Sequence, residues 1–151
     1  MLDKHYLTPL FAPSSVVVLA GPGNQLDSLT PVARHVQEAL RAQKYTGTLT
    51  FVDIHTSGTL ADLAQARADL AVIALPADEV IAALEIAGRM NCRAAVVIST
   101  GMSQQQAAEL KRIAKREGMF LLGPNSLGIQ RPSLQLNASA VGPPASEGPL
   151  G

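Results

Sequence analysis

The chain has 151 residues, of which 47% are hydrophobic, 16% charged and 3% aromatic, and 12 basic side chains balance 12 acidic ones. That is the size of one ordinary domain, able to bury about 70% of its unfolded surface, and the zero net charge excludes a global electrostatic footprint for nucleic acid or membrane. The single Cys92 excludes an internal disulfide and any cysteine-based metal site.

No stretch approaches the ~20 apolar residues of a membrane span. The first residues, with Asp3, Lys4 and His5, lack the charged-then-apolar plan of a signal peptide, so a soluble cytoplasmic protein is expected.

In chain order, the apolar run Val16 to Ala20 is the first predicted strand. Thr30-Pro31 opens a helix, with Thr at the cap and Pro at the first helical position. Val32, Val36, Ala39 and Leu40 are placed on its inner face. Thr48 to Ile54 has the β-branched content of a second strand. Leu70 to Leu75 is the third strand, followed after Pro76 by a helix with Val80, Ile81, Leu84 and Ala87 inward. Ala94 to Ser99 is the fourth strand, and Cys92 just before it reads as an inert core thiol. Ser103 and Gln106 then form a capping box for a helix with Leu110, Ile113 and Ala114 on its apolar stripe. Lys111, Arg112, Lys115 and Arg116 fall on its outer side; a solvated face near a helix C-terminus is favoured there over a phosphate patch. Met119 to Leu122 is the fifth strand.

Strands alternating with helices make βαβ units, hence an α/β fold: a Rossmann-like, doubly wound, mainly parallel sheet of about five strands in a single domain. The domain is placed at residues 1–131, and the Pro/Gly-rich stretch 132–151 is expected to be an extended tail or linker, the end of a fragment of something longer.

In such a sheet the strand C-termini share one edge, where ligands bind. Gly21-Pro22-Gly23-Asn24 follows strand one, and its glycines let backbone N–H groups approach a phosphate. A dinucleotide turn would want a third glycine at position 26, which is Leu. Asp53, Ile54 and His55 leave strand two; Asp53 is placed either as a ribose-binding acid or as a turn residue. Leu75-Pro76 leaves strand three, and Ser99, Thr100 and Gly101 leave strand four with two hydroxyls. Gly123-Pro124-Asn125 completes the rim. These loops hold no Ser/His/Asp or Cys/His arrangement and no metal-ligand spacing, so no catalytic and no metal residue is assigned.

Several of these segments, in this order, resemble the N-terminal CoA-binding domain of the NDP-forming acyl-CoA synthetases, relatives of the succinyl-CoA synthetase alpha subunit; the domain also opens some fused protein lysine acetyltransferases. The likeness rests on Leu10 to Val16, Asp69 to Pro76, Ala94 to Met102, and Gly123-Pro124-Asn125-Ser126-Leu127-Gly128-Ile129, where Ser126 stands at the family's usual Cys. It implies a Rossmann-like fold and a site for coenzyme A or acyl-CoA along the strand ends. The phosphates would lie by the Gly21 loop, the rest by Asp53, Ile54, His55, Leu75, Pro76, Ser99, Thr100, Gly101 and Asn125. The family's Gly-Ala-Ser first loop is here Gly-Pro-Gly-Asn, and its Asn-Pro exit from strand two is Asp53-Ile54. None of His5, His35 or His55 matches the family's phosphorylated histidine, which lies in a later domain, so the chain alone is not expected to catalyse ligation. Expected partners are a CoA-type small molecule and later domains or a partner subunit, with self-association compatible and nucleic acid and membrane excluded. The alternatives are an NAD-binding module and a degenerate domain kept for subunit contacts.

Overall fold

The computed structural model describes residues 5–22, 26–55 and 67–148. A short helix α1 (Thr8–Phe11) precedes strand β1 (Ser15–Leu19). A 3-10 turn at Leu26–Ser28 leads into helix α2 (Pro31–Ala42) and edge strand β2 (Thr48–Phe51). Strand β3 (Leu70–Ile73), helix α3 (Val80–Arg89), strand β4 (Ala94–Val97), helix α4 (Gln104–Glu117) and strand β5 (Phe120–Leu122) follow. These five strands pair in parallel in the order β2-β1-β3-β4-β5. This is the α/β, Rossmann-like sheet that the strand–helix alternation predicts.

Why the central strands are uniformly apolar is plain from what covers them. Alternate residues of one strand point to opposite faces. Val17, Leu19, Ala71, Ile73, Ala95 and Val97 pack beneath α3 and α4, against Leu84, Ala87, Leu110 and Ile113. Val16, Val18, Leu70, Val72, Ala94 and Val96 pack on the opposite face, against Ala33, Val36 and Leu40 of α2. Strand β2, at the edge, alternates in exposure instead, and its Phe51 ring lies under the Arg41 guanidinium carbon at 4.4 Å. No core position is aromatic: among the described residues the buried hydrophobics are aliphatic, Met or Cys.

Three expectations need correction. Val32 is 41% exposed and lies off the inner face of α2; the buried stripe is Ala33, Val36, Gln37 and Leu40, spaced i, i+3, i+4, i+7. A buried Gln in that stripe conceals it from hydropathy alone. Several strands also stop earlier than their apolar runs, because Leu75 and Ser99 belong to the exits rather than the ladders. Finally, the extended-tail expectation fails for its first part. Strand β6 (Gly128–Arg131) turns through a 3-10 segment at Pro132–Leu134 into strand β7 (Leu136–Ser139), an antiparallel pair buried under α2.

Leu136 and Ala138 fill the core of that face, while the buried Asn137 and Ser139 satisfy one another, Ser139 Oγ donating to Asn137 Oδ1 at 2.6 Å. Residues 141–148 have no regular element and are exposed, and the Gln130 amide ties them back by accepting from Ala145 N at 2.6 Å.

Helix α4 starts with the expected capping box, Ser103 Oγ accepting from Gln106 N and Gln106 Oε1 from Ser103 N. Of its outer cations, Arg112 pairs with Glu109 and Arg116 with Glu117, a solvated face laced by ion pairs. The Arg112 guanidinium hydrogen-bonded to Glu109 holds that carboxyl below its ordinary range. Among the described residues no helix is long and apolar enough to cross a membrane.

Candidate functional site

The sheet order puts β2 on one side of β1 and β3 on the other, so the chain reverses direction across the sheet between β1 and β3. The exits from neighbouring strands diverge there and leave a crevice. It is a pocket of about 200 Å³ lined by Ala20, Gly21, Pro22, Ser28, Leu29, Thr30, Ala33, His55, Ala74, Leu75, Pro76 and Glu79. A roomier hollow of about 400 Å³ lies by Ser14, Asp69, Arg93 and Phe120, at the opposite, N-terminal edge of the strands, away from the converging exits.

Gly21 ends β1 with φ of +92°, and a Cβ placed there would meet Leu29 Cδ2 at 2.5 Å. Only glycine takes that backbone without strain, and only its missing side chain keeps this wall of the crevice open. Helix α2 begins directly opposite. Thr30 Oγ1 accepts from Ala33 N at 3.2 Å, Pro31 has no N–H to satisfy, and Arg34 pairs with Asp27 at 3.3 Å. The positive end of the α2 dipole therefore faces the pocket. Beneath the turn, Gln37 Nε2 donates to the carbonyls of Ala20 and Gly21, at 3.5 and 3.4 Å.

On the side of β2, Asp53 Oδ1 accepts from His55 N at 3.0 Å, so this acid shapes its own turn. His55 Nε2 sits 3.0 Å from Glu79 Oε1, joining the β2 exit to the start of α3 across the pocket mouth. On the other side Ser99, 5% exposed, holds the rim together. Its Oγ accepts from Leu75 N at 2.9 Å and its carbonyl from Asn125 N at 3.0 Å, so one residue ties the exits of β3, β4 and β5. Gly123 takes φ of +107°, its bond to Pro124 is cis, and a Cβ there would strike the Val97 carbonyl oxygen of β4.

Of the residues expected from the sequence, the structure brings Gly21, Pro22, His55, Leu75 and Pro76 into one pocket. Asp53, Ile54, Ser99, Thr100, Gly101 and Asn125 stand at neighbouring strand exits but outside that lining; Ile54 packs against the core and Thr100, Gly101 and Asn125 are exposed. Gly23 and Asn24 lie outside the described residues. Sequence reasoning missed Ser28, Leu29, Ala33 and Glu79, and took Thr30 only as a cap. The start signal at Thr30-Pro31 could have suggested that the first turn of α2 borders the site.

Chemically the crevice suits a ligand that is part anion and part chain. Its walls are mostly Leu, Ala and Pro, with the hydroxyls of Ser28 and Thr30 and the His55–Glu79 pair among them, and a helix N-terminus and a glycine turn face its interior. At about 200 Å³ it is smaller than the ~300–1,000 Å³ usual for a ligand pocket. A pocket of that size takes no more than one segment of an extended ligand. Among the described residues no group of three His, Cys, Asp or Glu could hold a metal ion. Burial, with a smaller contribution from the Asp69 charge, pushes the Cys92 thiol up to about 12, which keeps it protonated and inert.

Comparison with known proteins fits this geometry. The ADP-forming acetate–CoA ligase I of Archaeoglobus fulgidus is 40% identical over 77 residues, covering 47% of this chain and 11% of that protein. The ADP-forming acetate–CoA ligase of Methanocaldococcus jannaschii is 42% identical over 75 residues, again 47% and 11%. The chain thus matches only about a tenth of the length of these curated relatives. The apo structure of dinucleotide-forming acetyl-coenzyme A synthetase 1 from Candidatus Korarchaeum cryptofilum superposes with a TM-score of 0.75 at 25% identity, over 89% of this chain and 31% of that one. A family model described as a CoA binding domain matches residues 27–132. The chain belongs to this CoA-binding-domain family, the one its sequence motifs resemble, and its cofactor is coenzyme A.

Proposed function

We propose that the chain binds coenzyme A or acyl-CoA in the crevice between the β1 and β3 exits, as the ligand-holding domain of an ADP-forming acyl-CoA synthetase-like protein. The observation that carries this reading is the Gly21 turn opposite the start of α2 in a pocket at the sheet's switch point. Gly21 and the α2 N-terminus take the pyrophosphate, where backbone N–H groups and the helix dipole favour negative charge. Leu75, Pro76 and Ala74 form the apolar wall for the pantetheine arm. His55 Nε2, 3.0 Å from Glu79 Oε1, occupies that carboxylate at the mouth, where an anion must pass.

Ligation itself we assign elsewhere, to later domains or a partner subunit, because none of His5, His35 or His55 matches the family's phosphorylated histidine. We place the domain in the cytoplasm; its single cysteine, free in the fold, is compatible with a reducing compartment. The NAD reading is disfavoured because position 26, where a dinucleotide turn wants a third glycine, is Leu.

Isothermal titration with CoA, acetyl-CoA and NAD tests the proposal. Saturable heat with CoA, lost in Gly21→Glu, is the expected result. Heat with NAD alone, lost in Asp53→Ala, would establish the dinucleotide reading instead, and silence from all three would leave a domain kept for subunit contacts.

A further inference from the structure

We propose that Gln37 is a positioning residue for CoA binding: its buried side-chain amide holds the β1–α2 turn in the form that receives the phosphates. The inference rests on the site reading above.

Gln37 is 0% exposed on a helix face otherwise made of Ala33, Val36 and Leu40. Gln is mostly an exposed residue, and an amide taken out of water must recover its hydrogen bonds. This one recovers them poorly. Its two donations, to the carbonyls of Ala20 and Gly21, run 3.5 and 3.4 Å, long against the usual 2.7–3.2 Å, and its Oε1 has no partner. A Leu or Met in that place would bury no unpaired Oε1, but it would take from the Ala20 and Gly21 carbonyls the donor they share. Packing alone therefore does not account for the amide.

Its position does. The two carbonyls it draws inward are the last before Pro22, on either side of the φ +92° residue that opens the crevice. In a trans peptide the C=O and the N–H point in opposite directions. Holding the Ala20 carbonyl therefore fixes the plane of the peptide that carries the Gly21 N–H. Ala33, one turn before Gln37 on the same helix, lines the pocket directly, so Gln37 acts from the layer behind it.

The test compares wild type with Gln37→Met, which keeps chain length but removes both donors and the unpaired acceptor, and with Gln37→Leu, should the first variant fold poorly. Three quantities are read: the melting midpoint, Kd for CoA by titration calorimetry, and hydrogen exchange at the Gly21 amide by NMR. The expected result is a Kd raised about fivefold or more, measured well below both midpoints, and faster exchange at Gly21, both larger than a modest fall in the midpoint accounts for. An unchanged Kd with unchanged exchange overturns the proposal. So does a Kd that worsens only in step with a falling midpoint, since that marks an ordinary core residue. A wild type that binds no CoA overturns the site reading, while exchange at Gly21 still judges whether Gln37 holds the turn.

Discussion

The two strained glycines of the ligand edge fail in different ways when a methyl group is added. In Gly123→Ala the new side chain inherits φ of +107°, beyond even the left-handed region, and its Cβ runs into the carbonyl oxygen of Val97. That oxygen belongs to the central strand β4 and already accepts from Ser126 N at 3.1 Å, so it cannot step aside. The backbone strain costs about 1–3 kcal/mol, and forcing an atom into a packed site about 1–3 more. The sum, about 2–6 kcal/mol, is a large part of the roughly 5–15 kcal/mol that holds a domain together. At about 2–4 °C per kcal/mol for a chain of this size, the melting midpoint should fall by roughly 4–24 °C.

Gly21→Ala pays the same kind of strain at φ of +92°, but its Cβ meets Leu29 Cδ2, the tip of a side chain that can rotate. Its stability loss should be the strain alone, about 1–3 kcal/mol. The displaced Leu29 turns into the pocket it lines, so CoA affinity should drop by an order of magnitude or more. Thermal melts followed by circular dichroism, with titration calorimetry well below each midpoint, separate the two effects. A Gly123→Ala midpoint within 2 °C of wild type, or a Gly21→Ala protein that melts lower than Gly123→Ala, would refute the reasoning.

Ser99→Ala removes the acceptor of the Leu75 N–H, 8% exposed as a residue, and should cost about 1–3 kcal/mol in urea unfolding, with Ser99→Thr recovering most of it; equal stability of Ala and Thr variants counts against a tie between β3 and β4. Cys92 should stay silent toward a disulfide reagent at pH 8 until the protein is unfolded, since burial keeps its thiol protonated; rapid labelling of the native protein contradicts that. Its folded value of about 12 lies above the ~8.5 of an unfolded thiol, so the unfolded chain gives up that proton first. Its contribution is fully present below pH ~8.5 and is lost as pH rises toward 12, by about 1.4 kcal/mol per unit; Cys92→Ala should lack this component, and equal slopes for both proteins between pH 9 and 11 would disprove it.

The sheet was legible because its strands are buried on both faces: Leu70–Ile73 and Ala94–Val97 are unbroken apolar runs, and nothing polar interrupts them. The helix starts at Thr30 and Ser103 were legible because capping uses particular side chains at particular spacings. The β6–β7 pair was not, because its strand Leu136-Asn137-Ala138-Ser139 alternates with amide and hydroxyl groups that bury only by satisfying each other, a contact hydropathy cannot see. The same blindness hides Gln37, whose reason to be buried is a pair of carbonyls 16 and 17 positions earlier.

At the site the difficulty is topological. A βαβ alternation says that strand exits share an edge, but not which exits are neighbours. Once β2 lies beyond β1, the Gly21 turn faces the Pro76 exit across a crevice, and His55 reaches the mouth from the far side. Ser99, read from sequence as a hydroxyl for the ligand, is turned inward because two further exits depend on it. The residues that touch the crevice and the residues that hold its rim are therefore different sets. Substitutions in the first that leave the backbone unstrained should change affinity at constant stability, and those in the second should change both together.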